Sequence, residues 1–124
     1  MKNYALVAAG GMLGAVARYG LTGWISTKNR GTFPWGTLAV NVIGSFIIGF
    51  FLYLALERFA WRPEWRLFFA VGTLGAFTTF STFSYETVEL MRAGSYLLAV
   101  ASIGGNLVGC LAATAAGMAL AAVA

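Results

Sequence analysis

Apolar residues crowd four long stretches of this chain, and the polar residues collect between them. The first stretch, Tyr4 to Ile25, carries a single charge, Arg18, and the second, Thr37 to Leu56, carries none. The third runs from Leu67 to Tyr85, with helix continuing towards Met91. The fourth starts near Ser95 and stays uncharged to the end. Crossing a bilayer takes roughly 20 mainly apolar residues in helical form. The pattern therefore predicts four transmembrane helices, over about 4–25, 37–56, 67–91 and 95–123, in a single domain spanning 1–124. The connectors hold the breakers: Gly31 and Pro34, then Pro63, then the turn Arg92-Ala93-Gly94. Trp24, Trp35, Trp61 and Trp65 fall near the predicted helix ends, where an aromatic belt meets the headgroups.

The third stretch is the least regular. Gly72-Thr73-Leu74-Gly75 leads into a run in which five of the seven residues from Thr78 to Ser84 carry hydroxyls. Glycine and β-branched threonine both disfavour helix, so two readings stand. In one, the helix breaks near its middle, about 75–79, and the freed carbonyls suit a hard cation. In the other, it stays whole and the hydroxyls bond back to carbonyls one turn earlier. Phe80 and Phe83 share a helix face at i, i+3. They are either packing residues or, with their electropositive ring edges turned to a pore, an attraction for an anion.

Two polar lines mark the neighbouring helices. Thr37, Asn41 and Ser45 recur at i, i+4, i+8, as do Ser102, Asn106 and Cys110. Each draws one polar stripe along an apolar cylinder. Helix–helix hydrogen bonding explains such stripes; so does a track of donors for a dehydrated anion, whose burial without several donors is prohibitive. Gly10-xxx-Gly14 and Gly105-xxx-Gly109 are small-residue spacings that allow close helix packing.

Composition agrees with the pattern. Hydrophobic residues make up 60% and charged residues 10%, far from the roughly 45–50% and about 25% of soluble domains. The net charge of +4 comes from basic residues scattered at the ends of apolar runs. They read as headgroup anchors, not a nucleic-acid surface. There is no histidine, and Cys110 is the only cysteine. Imidazole metal sites, histidine-based catalysis and an intrachain disulfide are thereby excluded. Lys2 and the segment Ala15-Val16-Ala17 also resemble a signal peptide with its cleavage site. The glycine-rich apolar run instead favours an uncleaved first helix.

Four crossings put both termini on one side, with Lys2, Arg58, Arg62 and Arg66. The other side holds Lys28, Arg30 and Arg92, with Arg18 near it. Orientation follows Lys/Arg asymmetry, and here there is almost none. Either another feature fixes one orientation, or chains insert both ways and pair as antiparallel dimers. Arg18, the one charge inside a predicted span, either snorkels to the interface or lines a watery vestibule that draws anions in.

The segments Gly10 through Tyr19, Gly36-Thr37-Leu38-Ala39-Val40-Asn41, and Gly75 through Ser84 with its Phe80-Ser81-Thr82-Phe83 resemble the Fluc (CrcB-type) fluoride channels. The resemblance covers essentially the whole chain, in order, and the third segment is its most specific part. It implies an all-α integral membrane protein, four helices per subunit with the third broken. The subunits would form an antiparallel dual-topology homodimer with two narrow pores. It also implies a passive fluoride channel, not an enzyme, in the plasma membrane of a prokaryote. Phe80 and Phe83 match the pore phenylalanines, Thr82 lies between them in the motif, and Asn41 matches the pore asparagine. Thr37 shares Asn41's polar line, and Ser102, Asn106 and Cys110 match the polar track. Arg18 matches the vestibule arginine, and Glu86 a glutamate near the pore mouth. Carbonyls at Gly75 and Thr78 match those holding a structural Na⁺ at the dimer centre. The chain departs from the familiar pattern at Asn106 and Cys110, where hydroxyl residues are usual; a thiol is a weak donor.

Two other functions fit parts of the pattern. A small multidrug exporter also pairs four-helix chains, but needs a membrane-embedded carboxylate, and the first helix has none. A non-transporting assembly subunit accounts for apolar helices and leaves the hydroxyl cluster and polar lines unused.

Overall fold

The computed structural model describes residues 1–124 and is helical throughout. α1 (Lys2–Lys28) and α2 (Trp35–Arg58) are the first two spans. The third, Pro63–Arg92, comprises α3 (residues 63–77) and α4 (Phe80–Arg92). α5 (Tyr96–Val123) is the fourth. With 24 to 30 residues each and 1.5 Å of rise per residue, every span reaches at least about 36 Å, beyond the roughly 30 Å hydrocarbon layer. Length and apolar character make this a multi-pass membrane protein.

Packing is organised as two pairs. α2 lies along α5, and α1 lies along α3, with α4 leaning on α5. Glycine permits both main crossings. A Cβ at Gly10 or Gly14 would collide with the Phe68 or Thr73 carbonyl of α3; one at Gly49 or Gly117 would collide with backbone across the α2–α5 seam. Without hydrophobic drive between helices in lipid, such close backbone approach is where association energy is found. Gly105 and Gly109 meet only side chains, Leu38 and Val42. Small-residue spacing thus marks a tight crossing at α1 and a looser contact at α5.

The buried centre is small and partly polar. Only 21 of 124 residues are buried, among them Val40, Thr37 and Ser102 at the α2–α5 seam. Large apolar side chains such as Val16, Leu97 and Leu107 point outward, a surface compatible with lipid and not with water.

Three segments leave regular α geometry. The backbone widens to π-type turns at Leu54–Arg58 and Arg66–Leu74, where Phe59 N–H reaches the Leu54 carbonyl at 3.0 Å. Helical geometry stops after Phe77: Thr78 has ψ 158°, and Thr79 is extended at φ −149°, ψ 115°. α4 then starts under a side-chain cap, the Thr79 hydroxyl accepting from Thr82 N–H at 3.2 Å, the arrangement threonine favours at a helix N-terminus. This two-residue interruption lies beside α2 and α5, whose polar lines face it.

Candidate ion pathway

The polar residues of α2 sit on one edge of the helix, so each opens onto the same side of the bundle at successive depths. At the connector end is a polar mouth of about 650 Å³, bordered by Ser26, Asn29, Arg30, Gly36, Glu86 and Glu89. Next comes a recess of about 380 Å³ bordered by Arg18, Thr22, Thr37, Thr79 and Thr82. Below it runs an open groove of about 480 Å³, with Asn41, Ser45, Gly75, Thr78, Phe80, Phe83, Asn106 and Cys110 on its walls. Thr37, Asn41 and Ser45 mark the descent.

Arg18 lies within α1, about 15 Å from its connector end by helical rise. It is half-buried and its Nε has no hydrogen-bond partner. Hydroxyls of Thr22, Thr37, Thr79 and Thr82 line the same recess. The Thr37 hydroxyl, on a residue only 2% exposed, is likewise unpartnered. The recess therefore presents one fixed cation and uncommitted hydroxyl hydrogens.

The densest polar geometry surrounds the interruption. Asn41 Nδ2 donates to the Thr79 carbonyl at 3.0 Å, and Asn41 Oδ1 accepts from Thr79 N–H at 2.7 Å. The second Nδ2 hydrogen goes to Asn106 Oδ1 at 2.8 Å. Asn106 Nδ2 in turn donates to the Ser102 carbonyl at 2.9 Å. Ser102 and Thr87 hydroxyls pair at 3.1 Å. These five residues are all buried, as polar groups satisfied by one another can be. Asn106 keeps one amide hydrogen free, and Thr82 keeps its hydroxyl hydrogen, since its oxygen accepts from Thr79 at 3.0 Å.

Phe80 and Phe83 lie at the groove with ring centroids 5.4 Å apart and planes at 65°, edge to face. Phe80 is 79% exposed on the open side of the groove. Much of its ring is therefore open to whatever fills the groove. Cys110 lies one turn beyond Asn106 on the same wall.

The interruption releases a run of carbonyls: those of Gly75, Ala76, Phe77 and Thr78 each lose the N–H four residues on. In a continuous helix Thr79 N–H would serve the Gly75 carbonyl; here it is spent on Asn41. Thr82 N–H would serve Thr78 and is spent on the Thr79 hydroxyl, so no protein donor reaches the Thr78 carbonyl. Oxygen ligands of this kind suit a hard cation.

The sequence lines thus converge on one path. Thr37, Asn41, Asn106 and Cys110, from two spans, line the cavities beside Thr78 to Phe83, whereas Ser102 is fully buried against Thr87 and lines neither of them. The residue pattern did not single out Thr79, whose N–H and carbonyl, from two successive peptide units, both bond the Asn41 amide, nor Thr87, the partner of Ser102. The available signal was the hydroxyl run itself, and a run does not say which hydroxyl caps, which lines and which peptide is held.

The family profile described as "CrcB-like protein, Camphor Resistance (CrcB)" matches residues 5–118. The chain belongs to the CrcB family. Its similarity to named relatives is high over most of their lengths. It is 47% identical to a protein of Hahella chejuensis over 97% of this chain and 94% of the relative. For a protein of Sulfurihydrogenibium sp. the figures are 49%, 86% and 86%. For one of Thermus thermophilus they are 53%, 76% and 73%. Each of these relatives is named a fluoride-specific ion channel, FluC, so the CrcB relatives are channels and not enzymes.

Proposed function

We propose that this chain is a passive, fluoride-selective channel that lets a cell release fluoride across its plasma membrane. It works as an antiparallel homodimer with two pores. The observation that carries the reading is the groove: apolar walls, Phe80 and Phe83 ring edges, and a few free polar hydrogens, in a chain whose relatives are named fluoride channels. Fluoride is small and strongly hydrated, so a path for it must replace the water it loses. Ring edges supply diffuse positive potential. The remaining Asn106 amide hydrogen and the hydroxyls of Thr37 and Thr82 supply point donors, with Cys110 contributing a weaker one. Arg18 concentrates anions in the recess before they meet the rings. With the cell interior negative, an open anion path carries fluoride outward without an energy source.

The groove is open on one side within a single chain, and Gly75 and Phe80 are exposed there. A second copy facing it antiparallel closes the groove into a pore and brings the interruptions of the two chains together. The third span then acts as a broken helix, and the Gly75 and Thr78 carbonyls of both subunits hold a structural Na⁺ between them. Their unpartnered oxygens fit that ion, which would supply a fixed positive charge balancing the carbonyl dipoles.

The multidrug-exporter reading loses ground here, because neither the first helix nor the groove carries a carboxylate, and Glu86 stands apart at the mouth. The decisive experiment is efflux from liposomes containing the purified protein, followed with a fluoride electrode and with chloride as control. Fluoride efflux with chloride retained is the expected outcome; equal passage of both, or of neither, would overturn the proposal.

A further inference from the structure

The amides of Asn41 and Asn106 form a directed relay whose polarity is set by backbone groups at both ends. At one end, the Ser102 carbonyl can only accept, so Asn106 must turn its Nδ2 towards it, at 2.9 Å. That leaves Asn106 Oδ1 facing α2, where it accepts from Asn41 Nδ2 at 2.8 Å. At the other end, Thr79 presents a donor and an acceptor from neighbouring peptide units. Only one setting of the Asn41 amide satisfies both, at 2.7 and 3.0 Å. Either amide turned over would bring oxygen against oxygen or N–H against N–H, at a buried site where an unmade hydrogen bond is costly. Asn41 has no hydrogen left to give: both Nδ2 hydrogens are committed, and its oxygen is engaged.

We propose that Asn41 and Asn106 are positioning residues. Asn106 fixes the setting of the Asn41 amide, and Asn41 clamps Thr79 in its extended conformation, holding the interruption between α3 and α4 open. Asn41 then serves the ion indirectly. By occupying Thr79 N–H it releases the Gly75 carbonyl, and by fixing Thr79 it starts α4 at Phe80, which sets the direction of both rings. Asn106 touches the path only through its one remaining hydrogen. The consequence for flux rests on the channel reading; the clamp itself does not.

The test reads the backbone directly. Amide hydrogen exchange is followed by NMR on the full-length protein, ¹⁵N-labelled at threonine, in lipid nanodiscs. Thr79 is compared with Thr78, whose N–H is bonded to the Leu74 carbonyl at 3.1 Å and lies outside the clamp. Asn41→Leu and Asn106→Leu are each expected to speed Thr79 exchange by about tenfold, the scale of one net hydrogen bond, and to leave Thr78 unchanged. The double variant should exchange no faster than Asn41→Leu, since Asn106 acts through Asn41. Asn106→Ala, read in parallel, removes the amide without added bulk should the leucine variant not fold.

Unchanged Thr79 exchange in Asn41→Leu, equal acceleration of Thr78 and Thr79, or multiplying effects in the double variant would each overturn the clamp. Fluoride efflux is measured on the same samples and should fall in step with Thr79 protection. A wild-type protein that passes no fluoride would sink the channel reading while the exchange data still decide the clamp.

Discussion

Phe80 and Phe83 show how one residue type serves two ends. Their mutual edge-to-face contact holds the pair at about the geometry aromatic rings prefer, and both rings line the open groove. Isoleucine keeps the apolar bulk and loses the quadrupole. Phe80→Ile and Phe83→Ile should each leave the protein folded and dimeric by size-exclusion chromatography, while fluoride efflux from liposomes falls by tenfold or more. Thr79 carries a second residue-scale load as the cap of α4. Thr79→Ala should lower the unfolding midpoint, removing about 1 kcal/mol of cap stabilisation, and a thermal melt in detergent checks it. The roles of Thr37, Asn41 and Asn106 could be suspected from their spacing. Their bonding could not, because a side chain's partner belongs to another span.

At the scale of elements, the α1–α3 crossing decides how near Arg18 comes to the interruption. Gly14 sits against the Thr73 carbonyl with no room for a Cβ, and Arg18 follows one turn later on α1. A larger residue must push the helices apart. Gly14→Val should therefore destabilise the fold by roughly 1–3 kcal/mol, the cost of overpacking a tight contact, read as a lower melting temperature. Gly109→Ala, which faces only the Val42 side chain, should be close to neutral. The sodium site proposed at the interruption can be tested by metal dependence. If the Gly75 and Thr78 carbonyls hold sodium, replacing it with a bulky organic cation lowers the melting temperature, in proportion to the logarithm of sodium over its dissociation constant. Loss of that shift when sodium is titrated would remove the ion from the mechanism.

For the molecule as a whole, charge is shared between the two ends. Lys2 and Arg62 both reach Glu64, at 3.1 and 3.3 Å, and Arg58 holds the Ala122 carbonyl at 3.0 Å. At the opposite end Arg92 pairs with Glu89 at 2.7 Å, and Arg30 borders the mouth. Exposed pairs of this kind add little stability, but they mark which basic residues share a side, and neither side dominates. In a Cys110→Ser background, Ala124→Cys should react equally with impermeant thiol reagents from both membrane faces. Lysines appended after position 124 should drive labelling to one face and reduce efflux, since antiparallel partners become scarce. Strictly one-sided labelling without the added lysines would rule out dual topology.

Four spans, their apolar surfaces and the family were legible in the residues alone. Each depends on local composition: a run of some 20 apolar residues can only satisfy its backbone as helix in lipid, and the Phe80-Ser81-Thr82-Phe83 segment is contiguous in the chain. The polar lines were legible as lines for the same reason, the fixed helical period. Tertiary structure decided what those lines do. Asn41 could have met water, lipid, an ion or a peptide group, and only the placing of α5 and the interruption beside α2 commits its amide to Thr79 and Asn106. Hydrogen bonds across 38 and 65 residues of sequence follow from packing, which no local pattern encodes.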